Sequence, residues 1–157
     1  MVRRLLACVV SGAMGGLVSS VTAWGFSVLG VSRALEYAMT PALTWGWLWP
    51  RLALGGAWGV LFLLPFWMQR PWRKAAVVSL APTAYMLFKG FPDLGLGLYG
   101  LGAGQGAPFV EALFNLIWAG AAVGFLMASQ VGSGPAARTG TMGARSRRPM
   151  RPRTPKA

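Results

Sequence analysis

The chain has no histidine, one cysteine (Cys8) and three acidic residues, Glu36, Asp93 and Glu111, in 157 positions. Each shortage excludes something. A single thiol cannot form a disulfide within the chain, and no His or multi-Cys metal site is available. Without histidine or paired carboxylates, and with no base near Cys8 in the sequence, the usual nucleophile–base arrangements are missing. The sequence therefore reads as non-catalytic, with no cofactor and no identified small-molecule substrate. Charge is scarce as well: 11% of residues are charged, 55% are hydrophobic and eight are tryptophan. A water-soluble globule of this composition would expose more apolar surface than solvent tolerates. Long apolar runs without charge point instead to a polytopic membrane protein.

Four such runs predict membrane spans at about residues 5–31, 52–68, 75–91 and 109–131. The fold class that follows is all-α, a polytopic membrane bundle of four helices over residues 1–131. Residues 5–31 hold no charge and exceed the ~20 residues that a helix needs to cross the hydrocarbon. Residues 32–51 read as a loop with a short interfacial segment, because Trp45, Trp47 and Trp49 suit the membrane–water boundary. Pro50 suits a first helical turn, where a missing N–H costs nothing. Pro82 is expected to kink the third span by removing a backbone hydrogen bond. Residues 92–108 hold six glycines and make a poor helix, so a flexible outer loop is expected, with re-entry into the membrane as the alternative. Residues 132–157 carry seven Lys or Arg, four prolines, four glycines and no acid, which predicts a disordered tail.

Charge sets the orientation. With four spans, both termini and the 69–74 loop share one side, which carries Arg3, Arg4, Arg70, Arg73, Lys74 and the seven basic residues of the tail, without an acid. The other side balances Arg33, Arg51 and Lys89 against Glu36, Asp93 and Glu111. Positive loops stay in the cytoplasm, so both termini are expected inside, in a bacterial cytoplasmic (inner) membrane. The bilayer is the first partner, and anionic lipid is the expected partner of the basic tail at ~1 kcal/mol per basic residue. Arg3-Arg4 before an apolar run resembles a secretory signal, with a peptidase-like site at Val21-Thr22-Ala23. The run continues past Ala23, so an uncleaved first span is expected.

Two constellations stand out. Small residues recur at four-residue spacing: Gly12 and Gly16 in the first span, Gly55 and Gly59 in the second, Gly120 and Gly124 in the fourth. In lipid, helices associate by close backbone approach, so such stripes mark contact faces. Packing inside one bundle is the expected use, and homo-oligomerisation or docking in a larger membrane complex is the alternative. The second constellation is polar. Lys89, near the outer end of the third span, and Glu111, near the outer start of the fourth, are expected to pair, with Asn115 one turn from Glu111 on the same face. Arg51 is expected to meet lipid headgroups, with Glu36 or Asp93 as alternative partners. The string Gly95-Leu96-Gly97-Leu98-Tyr99-Gly100 fits the spacing G-x-G-x-x-G, but it lies in a loop after a span, without the strand and helix that a dinucleotide site needs.

The pattern P-R-L-x-x-G-G-x-W-G-x-L-F-L-L-P over residues 50–65 resembles small, uncharacterised bacterial inner-membrane proteins. The stretches S-L-A-P-T (79–83), F-P (91–92) and F-N-L-I-W-A-G (114–120) are similar in kind, and the resemblance runs from residue 41 to about 125. It implies four spans and supplies no activity. The function expected is that of a non-catalytic assembly or accessory subunit, with a small transporter or channel as the alternative.

Overall fold

The computed structural model describes residues 2–38, 42–66 and 69–131. The basic tail, and Trp67 and Met68 at the end of the second expected span, lie outside the described residues. Among the described residues the chain is helical and has no strand. The α-helices are α1 (Val2–Val28), α2 (Val31–Ala34), α3 (Trp45–Gly59), α4 (Pro71–Tyr85), α5 (Phe91–Asp93) and α6 (Ala107–Val131). Two helices, Val2–Val28 and Ala107–Ser129, are long and apolar enough to cross a membrane.

The expected second span starts earlier than its hydrophobic run. Thr44 stands at the N-cap, and its hydroxyl oxygen accepts from the Trp47 backbone N–H at 3.4 Å. Such a cap satisfies one of the donors that a helix start leaves open. The helix therefore begins at Trp45, and the tryptophans read as a loop are helical instead. Trp45 and Trp49, one turn apart, stack with centroids 5.9 Å apart. Pro50 accordingly lies inside α3 rather than in its first turn. The chain then tightens into a 3₁₀ turn at Val60–Leu63. Lys74 closes that end: its Nζ donates to the Phe62 carbonyl at 2.7 Å and to the Leu64 carbonyl. Sequence places Lys74 in a tight basic loop; the structure puts it in α4 and buries it, its ammonium satisfying two carbonyls at the end of the preceding helix.

Proline opens the next helix, with Pro71 in the first turn of α4, and Pro82 lies within it. The Thr83 hydroxyl donates to the Ser79 carbonyl at 2.8 Å in the turn that Pro82 disturbs. The helix widens just beyond into a π-helical segment, Met86–Gly90, and runs on into α5. Proline and π-bulges are recognised sources of helix distortion.

Three contacts between helices build the bundle: α1 packs on α3 and on α6, and α4 packs on α6. The pairings are antiparallel. On α1, Gly12 meets Trp118 of α6 and Ser19 meets Phe114. Likewise Gly12 meets Gly59 of α3 and Gly16 meets Arg51. The α1–α3 contact is backbone on backbone. A Cβ on Gly12 would lie 2.7 Å from the Gly59 Cα, one on Gly55 2.7 Å from the Gly12 carbonyl oxygen, and one on Gly16 2.8 Å from the Arg51 carbonyl oxygen. Gly120 and Gly124 do not share this role. The nearest atom to a Cβ on Gly120 is a Trp72 ring carbon at 4.0 Å, and Gly124 faces open space. The α6 face that meets α1 is made of larger residues, Trp118 and Ala122 against Gly15.

Two apolar clusters fill the bundle. One gathers Cys8, Phe62, Val78, Trp118, Ala122 and Val123. The other gathers Ala23, Tyr37, Ala103, Val110 and Phe114. The glycine-rich stretch expected to be a flexible loop closes over the second cluster. It forms a 3₁₀ segment, Leu98–Ala103, and the Ala38 N–H donates to the Ala103 carbonyl at 2.7 Å. Gly104, at φ 128, comes so close to the Glu36 backbone that no side chain fits there.

The two glycine faces give a direct contrast. Gly12→Leu forces a side chain into rigid backbone and should cost at least about 3 kcal/mol, the upper end for overpacking. Gly124→Leu should stay within about 0.5 kcal/mol. Denaturation of both variants in mixed micelles measures the difference, and equal losses would contradict the packing described.

Candidate functional site

The stripe Glu111, Asn115, Trp118 on α6 has i, i+4, i+7 spacing and so faces one way. It faces a cavity of about 210 Å³ that is also lined by Gly16, Ser19 and Ser20 of α1, Arg51, Leu54 and Trp58 of α3, and Pro82, Tyr85 and Met86. The cavity forms because α3 leans on α1 and α4 leans on α6, which leaves a gap between α3 and α4. Across that gap Trp58 and Tyr85 meet edge to face at 5.8 Å. Leu54 and Tyr85 remain exposed at its mouth.

The polar groups come from three helices. Glu111 is 8% exposed, and Asn115 Nδ2 donates to its Oε1 at 2.9 Å and to its backbone carbonyl at 3.0 Å. Ser19 is committed to structure, donating to the Phe114 carbonyl at 2.9 Å. Ser20 is 1% exposed, and its Oγ has no hydrogen-bond partner among the described residues. A buried hydroxyl without a partner costs roughly 1–3 kcal/mol. Trp118 Nε1 donates to the Gly12 carbonyl at 2.9 Å, which fixes the indole as one wall. The Arg51 guanidinium stacks over the Trp47 ring at 4.3 Å to the centroid. Arg51 and Glu111 line the same cavity without forming an ion pair, since the ion pair among the described residues is Lys89–Asp93.

Tyr37 reports on the same charges from beside Phe114. Burial pushes its phenol up to about 12; the Glu111 carboxylate adds to the shift and Arg51 opposes it. The phenol is therefore neutral at physiological pH.

The expected polar trio is divided. Glu111 and Asn115 are together, but Lys89 pairs with Asp93 at 2.9 Å on the surface, four residues along its own helical run. The π-helical segment holds an extra residue per turn and turns Lys89 away from α6. Arg51, assigned by sequence to lipid headgroups or to Glu36 or Asp93, takes the place on the cavity expected for Lys89. Sequence reasoning places Ser20 in the small-residue stripe of the first span, four residues after Gly16, and not at a polar site, and it has no signal for Trp118. Of the helix-packing glycines, Gly16 and Gly55 line the cavity, Gly12 and Gly59 close the adjoining interface, and Gly120 and Gly124 lie elsewhere. No group of His, Cys, Asp or Glu among the described residues is suited to hold a metal ion.

Comparison with protein-family models, with curated proteins and with solved structures finds no match to this chain.

The division of the trio predicts unequal mutants. Asn115→Leu removes the hydrogen bond to buried Glu111 and should lower stability by about 1–3 kcal/mol. Lys89→Met, on an exposed pair, should leave the melting temperature in detergent unchanged. The opposite ranking would restore the Lys89–Glu111 pairing.

Proposed function

We propose that this chain is a small four-crossing protein of a bacterial cytoplasmic membrane, with both termini in the cytoplasm, and that it carries a small polar solute. The observation behind the carrier reading is the cavity, whose lining includes the buried acid Glu111 and the base Arg51 inside an otherwise apolar bundle. Apolar clusters on either side of that space favour a carrier over an open pore. The four-crossing reading is supported by uninterrupted helical runs at residues 45–63 and 71–93 and by the alternating directions of the four long elements. At about 1.5 Å per residue, such runs approach the ~30 Å hydrocarbon thickness.

The reading as a non-catalytic assembly or accessory subunit is second. One observation favours it: Gly120 and Gly124 form a small-residue face that this bundle leaves unused. The other glycine stripes are consumed within the fold, and the bundle contains buried charge, which an inert packing subunit does not need.

Proteoliposomes decide between the two. The purified protein, incubated with a pool of radiolabelled amines, carboxylates and amino acids, should accumulate at least one member above empty liposomes. Glu111→Gln should cut that uptake at least ten-fold. No uptake, together with recovery only as part of a larger membrane complex, would favour the assembly reading. Orientation has its own test. Reporter fusions should be cytoplasmic at residue 157 and periplasmic within 95–105, and a periplasmic tail would overturn the topology.

A further inference from the structure

We infer that the cavity between α3 and α4 binds a zwitterion, with an ammonium group against Glu111 and an anionic group against Arg51. This rests on the reading of the cavity as a solute site and names the class of solute. Three observations carry it. First, Glu111 and Arg51 both line the cavity and do not form an ion pair with each other. A net-charged guest would leave one of them unmatched in a low-dielectric space, whereas a zwitterion completes two charge-assisted contacts. Second, Asn115 lies in the same lining and its Nδ2 donates to Glu111 Oε1 at 2.9 Å, which holds the carboxyl group in place there. Third, Trp58, Tyr85 and Trp118 supply aromatic surface. Such faces attract an ammonium and accept a hydrocarbon body. The volume of about 210 Å³ suits a guest the size of an amino acid or a phospholipid headgroup. Both sources share this chemistry, and the exposed Leu54 and Tyr85 at the mouth leave a way in from the lipid side.

The test uses the full chain in detergent and in nanodiscs. L-leucine is compared with 3-methylbutylamine and 4-methylpentanoate, which keep the hydrocarbon and one charge each. Retention of phosphatidylethanolamine against phosphatidylglycerol is read by native mass spectrometry. Either leucine or phosphatidylethanolamine should be held, at least ten-fold more tightly than its singly charged counterparts. Glu111→Gln and Arg51→Gln should each weaken that binding at least ten-fold. Leu54→Trp, which narrows the mouth from an exposed position and keeps both charges, reads the same site if a charge variant fails to fold. Leucine held and phosphatidylethanolamine released identifies a free amino acid, and the reverse identifies a lipid headgroup. The inference falls if neither zwitterion is held, or if Leu54→Trp leaves binding unchanged. It also falls if 3-methylbutylamine binds as well as leucine and is indifferent to Arg51→Gln. That last result would leave a solute site in place and overturn only its class.

Discussion

Everything in this bundle depends on how closely α1 and α3 approach, and four glycines set that distance. Where Gly12, Gly55 and Gly59 meet, backbone touches backbone, and any side chain would occupy space already filled. In lipid this is a strong arrangement, because association depends on contact and not on expelling water. It also creates a shelf. Trp118 lies across it, its Nε1 on the Gly12 carbonyl and its ring edge beside Gly15 and Gly55. One indole thus ties α6 to the α1–α3 pair, and the apolar cluster around Cys8, Phe62 and Val123 grows from that point.

The same approach explains the cavity. Because α3 is drawn fully onto α1, it cannot also lie against α4, which is held by α6. The space between them is bridged by the rings of Trp58 and Tyr85 rather than by backbone. Into this space α3 brings Arg51 at the level of Gly16, and α6 brings Glu111 and Asn115. The position of the site is therefore a consequence of where the glycines are.

Much of this was legible in the sequence, for reasons that differ by residue. Hydrophobic runs marked α1 and α6 because each is long enough to be read by composition alone. Glycine spacing is the same on α1, α3 and α6, yet backbone meets backbone at Gly12, Gly16, Gly55 and Gly59 and not at Gly120 and Gly124, because spacing shows that a helix can be approached closely, not that it is. On α6 the face in use carries Trp118 and Ala122. The early start of α3 turned on Thr44, a single capping residue beneath a conspicuous tryptophan cluster. Lys89 and Arg51 exchanged roles because depth along a span was readable and rotation about it was not. A π-helical segment after Pro82 changes that rotation without any change in hydrophobicity. The burial of Lys74 was hidden for a related reason: its acceptors are carbonyls, and carbonyls have no signature in sequence.

Glu111 is the group that least resembles structural material. Glu111 is buried, and burying an acid is costly because it strips water from the charged form. A neutral hydrogen bond such as that from Asn115 contributes about 1 kcal/mol. Ser20, on α1 and in the same cavity lining, adds a further unmet demand. A bundle selected for packing alone would place an apolar residue at both positions. Arg51 offsets part of the cost by its opposite charge, yet it rests on Trp47 and forms no ion pair with the acid. An acid and a base that line one cavity without pairing, with a buried hydroxyl near them, are the groups on which the proposed solute site rests. Departures from local stability rules of this kind concentrate where function is, and in this bundle they converge on one cavity.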